Sequence, residues 1–222
     1  MSNLKVAFSG SSGSGKTTLV EYVYKEMGLE WISGSAGSVK KEGDKMIVDD
    51  VLKYPGGGHH GVIAYSALNS TYAILNQKLL QLRRAQIISE NNNFVTDRSP
   101  ADNLTYFVSQ VGYHPEVTES LAEEFAKDCL RAWEGLTHVI FVKAVQPSII
   151  EVNGSRIANK FYQKAVDCQF EYWITNYFMK NAVEGPEVFI IDFWDLETRK
   201  KKVIEFLQGK LELVNNRFKI GL

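Results

Sequence analysis

The octapeptide Gly10-Ser11-Ser12-Gly13-Ser14-Gly15-Lys16-Thr17 fits the spacing G-x-x-x-x-G-K-[ST] at every fixed position. Glycines at that spacing let a backbone curl until its N–H groups point inward, and a helix that follows adds its positive dipole end. Such a loop holds phosphate oxygens. Gly10, Ser12, Gly13, Ser14, Gly15, Lys16, Thr17 and Thr18 are the expected cradle of a nucleoside triphosphate. Within it Lys16 contacts the β- and γ-phosphates and the Thr17 hydroxyl ligates Mg²⁺. No guanine-reading motif is visible, so ATP is the default donor.

A second group with chemical potential is Asp97-Arg98-Ser99, followed by Asp102. A carboxylate at the C-terminal end of a parallel strand stands at the sheet edge where ligands bind in α/β folds. Asp97 there either joins the Mg²⁺ shell or accepts a hydroxyl proton, while the planar fork of Arg98 grips an anion. The competing reading makes Asp97 a helix cap and Arg98 half of a surface ion pair. Asp102 is expected to help shape an acceptor pocket.

These groups need a scaffold, and the apolar pattern supplies one. Residues 4–8 form a short buried strand ahead of the glycine loop, and 17–27 carry Leu19, Val20, Val23 and Met27 at helical spacing. A short strand is expected at 30–32 and a Gly/Ser loop at 33–38. Leu68, Tyr72, Leu75, Leu79 and Leu82 mark a long helix ending before Asn91. Further strands are expected at 94–96, 137–142 and 188–191, and helices around 121–133, 156–181 and 198–211. Strands alternating with helices imply an α/β fold with a mainly parallel sheet flanked by helices. No linker divides residues 1–222, which are expected to form one domain.

The glycine loop, Asp97-Arg98-Ser99 and the strand–helix order together resemble the P-loop nucleoside and nucleotide kinases. That group includes thymidylate kinase with its Asp-Arg-Tyr, deoxynucleoside kinases with Glu-Arg-Ser, and ribosylnicotinamide-kinase-like ATPases. The resemblance implies a P-loop NTPase fold with a small lid, at about residues 146–160. It implies that Asp97 serves magnesium or the acceptor and that Arg98 contacts phosphates. An arginine-bearing lid precedes the last strand in such kinases, and Arg156, after Asn153-Gly154-Ser155, is similarly placed. Lys16, Asp97, Arg98 and Arg156 are therefore the expected catalytic set, with Thr17 and Asp97 on the metal.

One departure matters. Related nucleoside kinases carry a catalytic acid just after the second strand, where this chain reads Trp31-Ile32-Ser33-Gly34-Ser35-Ala36. Either Asp97 is the base or the acceptor, already an anionic phosphate, needs none. This favours a deoxynucleoside monophosphate as acceptor. A nucleoside, or a hydroxymethylated pyrimidine base in DNA, is the alternative, and a nucleotide-dependent regulatory ATPase is the alternative of another class.

Composition narrows the partners. The 222 residues carry 25 basic and 26 acidic side chains, a net charge of −1, with 45% hydrophobic and 23% charged residues. Disorder and fibrous repeats are excluded, and no global basic field is present to hold nucleic acid. Residues 199–222 hold seven basic and two acidic residues, a local +5 that reads as a solvated terminal helix and tail. DNA therefore ranks below a free nucleotide as acceptor. No apolar run reaches the length of a membrane span, and two cysteines make neither a zinc site nor a disulfide framework. A reduced, cytoplasmic setting is expected, and a homodimer is compatible with the sequence. His59-His60, within glycines, are not expected to bind metal. Arg83-Arg84 are expected on the exposed side of the long helix, and the aromatic stripe of residues 161–178 in the core.

Overall fold

Two runs of nearly unbroken apolar sequence become the two central strands of the computed structural model, β1 (Lys5–Ser9) and β4 (His138–Val142). The structure describes residues 3–33, 70–144 and 160–210. The expected lid at 146–160 with Arg156, the His59-His60 stretch and the tail from 211 onward fall outside the described residues, apart from position 160 at the start of a helix. Strand β1 leads through α1 (Lys16–Met27) to β2 (Glu30–Trp31), and α2 (Ser70–Glu90) precedes β3 (Phe94–Thr96). Helices α3 (Pro100–Gln110) and α4 (Glu119–Glu134) lead to β4. Then come α5 (Lys160–Tyr172), β5 (Glu187–Ile191) and α6 (Leu196–Leu207).

All pairings are parallel and the spatial order is β2-β3-β1-β4-β5. Because β1 and β4 are covered on both faces, alternate residues feed two different cores. Val6, Phe8, Ile140 and Val142 pack with Leu19, Val20 and Val23 of α1 and with Val203 and Phe206 of α6. Ala7, Val139 and Phe141 join Phe107, Phe125, Trp133, Phe170 and Phe178 on the other face. Each fully buried large side chain contributes roughly 1.5–3 kcal/mol. The register Lys5↔Phe94, Val6↔Val95, Ala7↔Thr96 sets the end of β3 beside the end of β1. Both chemical motifs therefore leave the sheet at one edge.

Five local expectations need correction. Helix α3 enters the sequence reading only as the helix that Asp97 would cap, without bounds of its own. The helix expected over 156–181 is α-helical from Lys160 to Tyr172, widens to a π-turn at Trp173–Phe178 and closes at Met179–Asn181. Its buried face runs through Gln163, Val166, Asp167, Phe170, Ile174 and Phe178. Phe161, two residues and about 200° from Gln163, is therefore exposed, as is Ala165. Arg84 is not on the solvent side of α2 but buried. Arg199, counted with the solvated terminal charge, is also buried, at 3% exposure.

Candidate active site

The glycine loop leaves β1 at a position that admits only glycine. Gly10 has φ +136°, and a Cβ built there would lie 2.4 Å from the carbonyl oxygen of Val142. Helix α1 begins at Lys16 behind Gly15, itself left-handed at φ +92°, with no side-chain cap and no acid in its first turn. The first N–H groups of the helix are thus kept for an external anion, and Thr17 and Thr18 are exposed beside them.

Lys16 is folded back over its own loop. Its Nζ donates to the carbonyls of Gly10 (2.6 Å) and Ser11 (2.7 Å) and to Ser14 Oγ (3.5 Å). Burial, helped by the positive charge of Arg98, pushes its pKa down to about 7, against the opposing pull of Asp102, Asp97 and Asp167. The direct hydrogen-bond partners of Lys16 among the described residues are all neutral oxygens.

The back of the loop is gripped by side chains from distant helices. Gln163 Nε2 of α5 donates to the Ser12 carbonyl (2.8 Å), and Asp167 accepts from Ser11 Oγ (3.2 Å). Asp167 also accepts from the Ala144 N–H beyond β4, which ties loop, strand end and helix together, and burial raises its pKa. Arg199 Nη1 of α6 donates to the Ser14 carbonyl (2.9 Å). None of these three was singled out from the sequence. They lie more than 150 residues from their partners, and no local spacing marks them.

At the neighbouring strand end, Asp97 follows β3, is 9% exposed, and lies within electrostatic range of Lys16 and Arg98. The cap of α3 is Ser99, not Asp97. The Ser99 hydroxyl accepts from the Ala101 N–H while Asp102 accepts from the Ser99 N–H, a reciprocal capping box with Pro100 in the first turn. Asp102, at 1% exposure, is a buried brace: it also accepts from Ser9 Oγ (2.8 Å) and pairs with Arg98 (3.0 Å). The Arg98 guanidinium lies 5.6 Å from the Tyr106 ring centroid. The surface pair imagined for Arg98 is thus a largely buried one. Behind it Arg84 donates to the Ser99 carbonyl (2.9 Å) and to Asn103, whose amide donates to Gln81 (2.8 Å). Burial brings Arg84 down to about 10.

Thr17 and Asp97 offer one hydroxyl and one carboxylate. That donor set suits magnesium, which keeps several waters and takes its remaining oxygens from nucleotide phosphates. Among the described residues no cluster of three or more His, Cys, Asp or Glu could hold a metal by protein ligands alone. Cys129 is buried and Cys168 exposed, and both are free thiols. No described helix is long and apolar enough to cross a membrane.

A phosphate loop between β1 and α1, on an all-parallel sheet ordered β2-β3-β1-β4-β5, defines a P-loop nucleoside-triphosphate fold. The chain belongs to an AAA domain family, whose model matches residues 5–130. No curated protein matches the sequence. Among solved structures it is similar to deoxyadenosine kinase from M. mycoides with bound dCTP. That match has 15% identity over 93% of this chain and 100% of that one, at a TM-score of 0.60. It is also similar to thymidylate kinase from Candida albicans, with 11% identity over 93% and 92% of the two chains and a TM-score of 0.52. At these identities the likeness is one of fold, and the fold is that of the P-loop nucleoside and nucleotide kinases.

Proposed function

We propose that the protein transfers the γ-phosphoryl group of ATP to a small nucleotide acceptor, a deoxynucleoside monophosphate. One observation carries this reading. The open N-terminus of α1, with Thr17 and Thr18 exposed, shares a sheet edge with Asp97 and Arg98 at the end of β3. A donor triphosphate in the loop and an acceptor beside β3 then meet at the γ-phosphate, and positioning with charge neutralisation does the remaining work.

Gly10, Ser12, Gly13, Ser14 and Gly15 supply the loop, and Thr18 adds its N–H to the cradle. Lys16 exchanges its carbonyl partners for the β- and γ-phosphates and takes up charge as they arrive. Thr17 and Asp97 would hold Mg²⁺, which would supply positive charge against the triphosphate. Asp97 keeps the acceptor oxygen aligned, and Arg98, preorganised by Asp102, faces the acceptor phosphate. Arg156, in the proposed lid at 146–160, completes the set. The fold shared with a deoxyadenosine kinase and a thymidylate kinase supports phosphoryl transfer to a nucleoside or nucleotide, and the monophosphate is chosen on the missing acid after β2. A cytoplasmic setting is proposed with it, and a homodimer is compatible with the mechanism.

The test is ADP release from Mg²⁺–ATP against deoxynucleoside monophosphates, deoxynucleosides and duplex DNA containing hydroxymethylated pyrimidine, with the products weighed by mass spectrometry. The expected result is release stimulated by one or more monophosphates, with a nucleoside diphosphate formed. Phosphate found only on a nucleoside or on DNA would move the acceptor. Release indifferent to every acceptor would replace the kinase with a regulatory ATPase.

A further inference from the structure

Arg199 is a buried cation, 3% exposed, in contact with the phosphate loop, and the phosphotransfer scheme above leaves it without a task. It extends from α6 behind the loop, with Nη1 on the Ser14 carbonyl (2.9 Å) and Nε on the Phe193 carbonyl. Its guanidinium carbon lies 5.6 Å from the Trp194 ring centroid. Nη2 is buried and, among the described residues, has no hydrogen-bond partner. No acidic side chain pairs with it among the described ion pairs. A buried guanidinium with one unmet nitrogen is a poor device for stability alone, since an apolar side chain of similar length would escape that desolvation cost.

Its value lies in the peptide it holds. The Ser14 carbonyl and the Gly15 N–H belong to one planar unit and point in opposite directions. A donor fixed on the Ser14 oxygen from behind therefore turns the Gly15 N–H toward the phosphate side. Gly15 has φ +92° and carries no side chain that could hold this orientation, and a Cβ placed there would lie 3.5 Å from Nη1. The guanidinium also sets a fixed positive charge directly behind the anion cradle.

We propose that Arg199 is a positioning residue for the donor: it presets the Ser14–Gly15 peptide and so tunes the affinity of the loop for the polyphosphate of the nucleotide. The assignment rests on the phosphotransferase reading and deepens its donor site. It also gives α6, the last described helix, a direct hold on nucleotide binding.

Calorimetric titration of Mg²⁺–ADP and, separately, of inorganic tripolyphosphate into wild type, Arg199→Met and Arg199→Lys tests it. Circular dichroism, thermal melting and the donor and acceptor KM values accompany the titrations. Arg199→Met is expected to weaken both probes about tenfold or more, with acceptor KM unchanged and melting little altered. Arg199→Lys, which returns the charge and one donor but not the fork, recovers part of the loss. Wild-type affinity in Arg199→Met overturns the assignment, and so does an equal rise of both KM values with a lowered melting point. Should Arg199→Met not fold, Arg199→Lys decides: weaker tripolyphosphate binding with normal acceptor KM supports the role, and unchanged binding overturns it. A wild-type chain that binds neither probe removes the phosphotransferase reading itself, whereas binding by wild type and Arg199→Met alike removes only Arg199.

Discussion

The donor side and the acceptor side of this sheet edge are built in opposite ways. Around Gly10–Thr17 the ligand-facing groups are mostly backbone N–H groups and a helix end, joined by the side chains of Lys16 and Thr17, all from eight consecutive residues. Around Asp97–Asp102 the working groups are side chains, locked by partners from β1, α2 and α3: Ser9, Arg84, Gln81 and Asn103. A backbone-built site depends on chain conformation, so it can be written in glycine spacing alone. A side-chain-built site depends on which helices pack behind it. The first tolerates a variety of residues at its x positions. The second is a buried polar network in which each member is needed to satisfy the others.

The largest effect should come from the side chain placed to meet the donor's β- and γ-phosphates. Lys16→Ala is expected to lower phosphoryl transfer by several orders of magnitude while the fold, read by circular dichroism, persists. The lysine also gives that side a pH signature. With its folded pKa near 7 against an ordinary 10.5, the unfolded chain binds more protons between these values. Stability of the ligand-free protein should therefore gain a rising contribution with pH across that window, and Lys16→Ala should lose it. Polyphosphate restores the charge, so Mg²⁺–ADP binding near pH 8.5 should take up close to one proton. Calorimetry in two buffers of different ionisation enthalpy measures it.

Next in size, Asp97→Asn probes the point where the two sides meet. It should reduce kcat by about 100-fold with nucleotide still able to bind. A drop in melting temperature alone would make Asp97 a structural residue. Asp102→Asn then tests the claim that the acceptor side is a network. Losing the charge that holds Arg98 and weakening the Ser99 box should cost about 2 kcal/mol in chemical denaturation, less than a fully buried pair because Arg98 is partly exposed. Acceptor KM should rise more than donor KM. The smallest effect belongs to an exposed pair outside both sides: Lys25→Ala, which removes the bond to Glu21 (2.7 Å), should change stability by no more than about 0.5 kcal/mol.

The same contrast explains what could be read from the sequence. The phosphate loop, the central strands and the emergence of Asp97 at a strand end were all legible, because glycine spacing and continuous apolar runs are local signals. Helix α3 was legible in principle: Ser99-Pro100-Ala101-Asp102 spells a capping box with proline in the first turn, although the stretch reads first as the end of a strand. Arg84 and Arg199 were not. A buried arginine has the same letters as a solvated one, and its burial follows only from the Ser99, Asn103 and Ser14 acceptors that tertiary packing brings to it. The face of α5 was misjudged for a related reason. Phe161 looks like core, but the helix turns Gln163 and Asp167 toward the loop instead, and that choice is made by Ser11 and Ser12 far away in sequence.

The central claim is that the two sides meet at a transferable phosphoryl group, and the fate of that group tests it most directly. ATP labelled in its γ-phosphate, incubated with Mg²⁺, the protein and a mixture of deoxynucleoside monophosphates, should yield label on the β-phosphate of a deoxynucleoside diphosphate and none there with Lys16→Ala. Label recovered solely as inorganic phosphate, at the same rate with and without the mixture, would contradict the account.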